Sequence, residues 1–128
     1  MVSKNPAAHV LVVDDEPLIR WSLNETLSDR GYDVTETGDA AAARRAVRAA
    51  LPAFDVVLLD YRLPDSDDLS LLASLRQATP RTKIILMTAY GSPETVLGAL
   101  ELGAFRVVNK PFEMRDVVAL VAEAAAAH

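Results

Sequence analysis

Two apolar runs end in acid. His9-Val10-Leu11-Val12-Val13 leads into Asp14 and Asp15, and Phe54-Asp55-Val56-Val57-Leu58-Leu59 leads into Asp60. If these runs are strands of one sheet, carboxylates gather at its edge. Unit charges about 4 Å apart repel by roughly 4 kcal/mol at an effective dielectric of about 20. A cation is therefore expected among them. Two later runs end in complementary groups: Ile84-Ile85-Leu86-Met87 in the hydroxyl of Thr88, and Phe105-Arg106-Val107-Val108-Asn109 in the ammonium of Lys110. Carboxylates, a hydroxyl and an ammonium at one edge are the parts of a phosphoryl-transfer site.

The elements that must position these groups alternate. Residues 9–14 read as a strand, apolar without interruption from Val10 to Val13, and Leu18, Ile19, Leu23 and Leu27 then recur at helical spacing until Gly31 stops the pattern. A weak strand at 33–37 precedes an alanine- and arginine-rich helix over 39–51, whose larger apolar groups are only Val47 and Leu51. Residues 54–59 are the most apolar strand. A loop with Pro64 leads to a helix over 69–78, and Pro80 breaks it. A strand over 82–88 follows. Pro93 and Gly103 then bracket a fourth helix, after which a final strand leads to Lys110-Pro111 and a helix over 113–127. Five βα units with apolar central strands imply an α/β fold, a doubly wound parallel sheet covered on both faces. Sites in such sheets form beyond the carboxyl ends of the strands.

At 128 residues and 51% hydrophobic, the chain suits one domain: residues 1–8 read as a tail and 9–128 as the folded unit. No run approaches the roughly 20 apolar residues of a membrane span, and the N-terminus lacks a signal-peptide core. A cytoplasmic protein is expected. The absence of cysteine removes disulfides, thiolate metal sites and a cysteine nucleophile. A net charge of −5 argues against direct nucleic-acid binding.

The motifs Val12-Val13-Asp14-Asp15-Glu16-Pro17, Leu59-Asp60 with Pro64, Met87-Thr88-Ala89 and Lys110-Pro111-Phe112 together resemble the receiver domain of two-component response regulators. The resemblance covers essentially the whole chain. It implies a flavodoxin-like sheet of strand order 2-1-3-4-5. It also implies that Asp60 takes a phosphoryl group from a phosphohistidine on a sensor histidine kinase. Asp15, Asp60 and the backbone carbonyl of Arg62 would ligate Mg²⁺, with Asp14 acting mainly through a bound water. Lys110 and Thr88 would each contact a phosphoryl oxygen. Such a chain is a signalling phosphoacceptor and not a turnover enzyme.

Plainer readings exist for each group. Asp15 can be a helix N-cap, Asp60 a turn starter, Thr88 a cap and Lys110 a solvated lysine; their joint occurrence at strand ends favours the site. The run Asp65-Ser66-Asp67-Asp68 reads as loop and helix cap without a metal role. Val107 stands where receivers usually carry a switching aromatic, so helix 92–102, weakened by Gly98, is the candidate mobile element. Asp68 replaces a frequent glycine. Arg62 and Tyr90 occupy positions that tune access of hydrolytic water in this family.

A second resemblance narrows the class. Asp14 through Leu23, Met87-Thr88-Ala89-Tyr90-Gly91 and Gly103-Ala104-Phe105 look like receivers of nitrogen-regulation-type (NtrC-like) transcriptional regulators. Those relatives add an AAA+ ATPase and a DNA-binding domain, and the alanine-rich end suggests that the natural chain continues. Trp21 falls opposite the apolar stripe of its helix and is expected to be exposed. On the last helix Met114, Val117, Val118 and Val121 should face inward, with Leu120 off that stripe. The fourth helix, last strand and last helix form a possible homodimer face. Alternatives are a stand-alone phosphorelay receiver, a degenerate receiver that works without phosphate, and an aspartyl-nucleophile phosphohydrolase. The last lacks a second acid at position 62.

Overall fold

The computed structural model describes residues 8–89 and 91–127. Strands and helices alternate as β1 (His9–Val13), α1 (Pro17–Asp29), β2 (Asp33–Thr37), α2 (Ala40–Ala49), β3 (Val56–Asp60), α3 (Ser70–Ala78), β4 (Lys83–Thr88), α4 (Pro93–Glu101), β5 (Arg106–Asn109) and α5 (Met114–Ala126). All strand pairs are parallel, in the order β2-β1-β3-β4-β5. This is the flavodoxin-like order implied by the resemblance.

The period-two geometry of a strand explains why the central strands are apolar at every position. Leu11, Val13, Val57, Leu59, Ile84 and Leu86 point to one face and pack with Ala40, Ala43, Leu71, Leu72, Leu75 and Ala99 from α2, α3 and α4. Val10, Val12, Val56, Leu58, Ile85 and Met87 point to the other, against Leu23 and Leu27 of α1 and Val117, Val118 and Val121 of α5. Both faces are covered, so no alternation with polar residues survives in β3, whose five residues are all buried.

Local signals set the helix ends. Pro17 and Pro93 occupy first helical turns, and Gly31 (φ +92°) and Gly103 (φ +99°) supply the left-handed turns after α1 and α4. The Asp39 carboxylate accepts the Ala42 amide at 2.7 Å and the Ser92 hydroxyl accepts the Thr95 amide at 3.2 Å.

Several expectations shift. Leu51 is 96% exposed, because α2 ends at Ala49 and packs through Ala40 and Ala43. Leu120 lies off the main stripe of α5, yet it is half-buried against the same cluster. Asp65 caps α2 instead of the helix that follows it: its two oxygens accept the amides of Ala40 at 2.7 Å and Ala41 at 3.1 Å. Trp21 is 57% exposed, as its helical phase predicts.

Candidate functional site

The chain leaves β1 for β2 on one side, and β3 then lies on the other. That reversal opens a crevice at the carboxyl ends of β1 and β3. Val13 is registered opposite Leu59, so the next residue on each strand, Asp14 and Asp60, flanks the crevice.

Asp14 is wholly buried, and a buried carboxylate requires partners. Its Oδ2 accepts from Lys110 Nζ at 2.9 Å and its Oδ1 from the Glu16 amide at 2.9 Å. Its own amide donates to the Thr37 carbonyl at 3.1 Å. The Asp14 carbonyl accepts from Arg20 Nη1 at 2.7 Å. Lys110 follows β5, and its amide donates to the Thr88 carbonyl at 2.8 Å. The ammonium also reaches Asp60 Oδ2 and Glu16 Oε1, each at 3.3 Å.

Asp60 is 6% exposed and its Oδ1 accepts the Arg62 amide at 3.3 Å. Burial, reinforced by the Asp14 charge, raises its carboxyl pKa to about 6, against the lowering pull of Lys110. Burial pulls the Lys110 ammonium down, but hydrogen bonding and attraction from Asp14 and Asp60 together leave its pKa raised. The pair is thus charged at neutral pH.

Asp15 is exposed, and oxygens of Asp14, Asp15 and Asp60 lie within 4.8 Å of one another. Three carboxylates around one ammonium leave net negative charge, and the donors are all oxygen. That set fits a hard cation such as Mg²⁺, which keeps several waters. Asp15, Glu16, Asp60, Tyr61, Arg62, Ala89 and Lys110 line a cleft of about 270 Å³ over these groups.

Of the other anticipated residues, Thr88 ends β4, buried and registered beside Asn109. The Arg62 side chain is exposed at the cleft, and Val107 is half-buried on the face covered by α2, α3 and α4. Tyr90 lies outside the described residues. Glu16 and Arg20 were not anticipated. Glu16 could have been suspected from its place in the acidic run, but Arg20 shows its relevance only once α1 is folded over β1.

A parallel sheet of this order, with an acidic crevice at its reversal and a lysine from beyond its last strand, is the architecture of a signalling receiver. The family described as Response regulator receiver domain matches residues 10–122, and the chain belongs to that family. It is 38% identical over 115 residues to the DNA-binding transcriptional regulator NtrC of Escherichia coli (strain K12), covering 90% of this chain and 24% of that protein. Identity to the response regulator protein PilR of Pseudomonas aeruginosa is 40% over 114 residues, covering 89% and 25%. A CheY-like receiver domain protein from Methanospirillum hungatei has a crystal structure that matches with a TM-score of 0.88 at 28% identity, covering 93% of this chain and 94% of that one. The chain is a receiver of the NtrC type and spans about a quarter of the length of these two curated relatives.

Proposed function

We propose that this receiver accepts a phosphoryl group from a phosphohistidine of a sensor histidine kinase onto Asp60. The observation that carries the reading is the Lys110 ammonium held between Asp14 and Asp60 at the sheet reversal, with Asp15 beside them. A carboxylate oxygen of Asp60 attacks phosphorus and the P–N bond breaks. The imidazole leaves with the bonding pair and takes up a proton from solvent. A carboxyl group with a pKa of about 6 is mostly ionised at neutral pH and so available as nucleophile.

Lys110 pairs with one phosphoryl oxygen, and the Thr88 hydroxyl donates to another. Asp15 and Asp60, with the Arg62 carbonyl, would hold Mg²⁺, and Asp14 would act through a water. The bound ion would supply charge neutralisation for the carboxylates and the transferring group. The side chains of Arg62 and Tyr90 restrict hydrolytic water. With Val107 in place of a ring, switching passes through α4.

Next to the cleft, Leu18, Ile19, Pro111, Phe112 and Met114, with Glu16, Ser22 and Lys110 among the other lining residues, form a mainly apolar groove of about 470 Å³, a suitable seat for the phosphodonor domain. In the full-length chain an AAA+ ATPase and a DNA-binding domain would carry the output, since this acidic domain is a poor nucleic-acid ligand. Leu97, Leu100 and Leu102 are exposed at and just after α4, the helix that with β5 and α5 would serve a homodimer. No helix among the described residues is long and apolar enough to cross a membrane; cytoplasmic signalling fits that.

Mass spectrometry after incubation with a small-molecule phosphodonor tests the reading. One phosphoryl adduct that needs both Asp60 and Mg²⁺ is expected. A folded, Mg²⁺-binding chain that gains no adduct would refute phosphate acceptance and favour a phosphate-independent receiver.

A further inference from the structure

We propose that Arg20 is a positioning residue for the cation site, acting through the Asp14–Asp15 peptide. The inference rests on the Mg²⁺-dependent receiver reading and adds a residue that reading does not use. Asp14 and Asp15 share a short loop, Asp14 to Glu16, between β1 and α1. The Asp14 side chain is fixed from the cleft side by Lys110 and the Glu16 amide. Asp15 is exposed, so its placement depends on the peptide that joins it to Asp14.

Arg20 holds that peptide by its carbonyl. Its Nη1 donates to the Asp14 carbonyl oxygen at 2.7 Å while its Nε donates to Glu36 Oε1 at 3.1 Å. Glu36 is registered opposite Val12 on the edge strand β2. Asn24 Nδ2 holds the other Glu36 oxygen, and Ser28 Oγ donates to Asn24 Oδ1 at 2.7 Å. The guanidinium is therefore oriented by a chain of side chains from α1 and β2. Gly38 leaves it room, since a Cβ there would sit 3.1 Å from Nη1. A planar fork can serve a carbonyl and a carboxylate at once, which an ammonium on a flexible stem does less well. As a surface ion pair alone, Arg20–Glu36 would add little stability. Its geometry makes better sense as support for a ligand-bearing loop, because partners behind metal ligands fix their orientation.

The sign of the effect separates positioning from simple charge. Arg20 is a cation near a cation site, so Coulomb repulsion alone predicts that Arg20→Met binds Mg²⁺ more tightly. Loss of positioning predicts weaker binding. Isothermal titration with Mg²⁺ would compare the unsubstituted chain with Arg20→Met, Arg20→Lys, Asp15→Asn and the remote Arg45→Met. Arg20→Met should weaken Mg²⁺ binding roughly tenfold, and Arg20→Lys should weaken it at unchanged charge, while Arg45→Met leaves it unchanged. The Asp15 amide resonance should move in metal-free Arg20→Met, whose thermal midpoint stays near that of the unsubstituted chain. If Arg20→Met does not fold, Arg20→Lys decides by the same direction. Equal or tighter binding in the folded Arg20 variants overturns the proposal and leaves the receiver reading standing. Absence of Mg²⁺ binding by the unsubstituted chain, or full binding by Asp15→Asn, overturns both.

Discussion

Asp65 Oδ1 accepts the Ala40 amide at 2.7 Å, so the loop that follows β3 caps a helix that precedes it. With Ala41 on the other Asp65 oxygen and Ala42 on Asp39, three orphan amides of α2 are met by two carboxylates from different segments. The loop beside Asp60 is thereby tied to α2. Asp65→Ala should speed amide exchange at Ala40 and Ala41 more than at Ala42, as read by hydrogen-exchange NMR. The Ala40 hydrogen bond, together with that of Ala41 and against some burial, holds the Asp65 carboxyl below its ordinary 3.8. A depressed carboxyl contributes stability above its unfolded pKa, and the contribution fades as pH falls through the folded value. Equal exchange in the two proteins at pH 6 would show that the cap is idle.

Lys110 is the protein's own counter-ion for Asp14, which is wholly buried. Removing one member of a buried pair leaves an uncompensated charge and typically costs about 3 kcal/mol or more. Metal-free Lys110→Met should lose about that much in urea unfolding at pH 7. A loss below about 1 kcal/mol would mean that water or another group already compensates Asp14.

Asp60 should behave in the opposite sense to Asp65. Its folded pKa, about 6, lies above the ordinary 3.8, so between those values the folded state binds more protons than the unfolded state. Stability from this group therefore falls as pH rises from about 4 to 6, and levels off above that. Metal-free Asp60→Asn should be more stable than the parent at pH 7, by about 1 to 3 kcal/mol at 1.36 kcal/mol per pKa unit. The gain should shrink towards pH 4. Thermal unfolding across this range gives the answer, and a gain that grows on acidification would contradict the assignment.

Gly98 has a packing role besides its helix-weakening one. A Cβ there would lie 3.0 Å from Leu69 Cδ1, so α4 sits close to the residue that precedes α3. Gly98→Ala should realise less than the roughly 1 kcal/mol expected from helix propensity. In a Leu69→Ala background the same change should recover more of it, and a double-mutant cycle measures the difference. Additive effects would show that Leu69 yields freely.

Much of this architecture was legible because the sheet is buried on both faces. β1, β3 and β4 announce themselves as continuous apolar runs, and the acids, hydroxyl and ammonium then fall at strand ends by simple counting. Pattern alone did not yield the strand order; family resemblance did, since periodicity carries no information on which strands are neighbours. Leu51 misled because an apolar residue near a helix end looks like core when the terminus is uncertain by two residues. The partners of Asp65 and Arg20 were invisible for a different reason. Each reaches backbone groups that only tertiary packing brings near, 25 and 6 residues away in sequence.

The two halves of the Asp14–Lys110 pair are separated by 96 residues, and the lysine arrives with the last strand. At roughly 5 to 20 residues per second of ribosomal synthesis, a newborn chain spends on the order of 5 to 20 seconds with Asp14 made and Lys110 not. In the last part of that interval, once β4 is complete at Thr88 and before Arg106–Asn109 is made, β4 also lacks its outer neighbour β5 and presents a bare edge. The nascent domain therefore passes through a stage that is both uncompensated in charge and open to strand pairing, and the arrival of one short segment ends both exposures together.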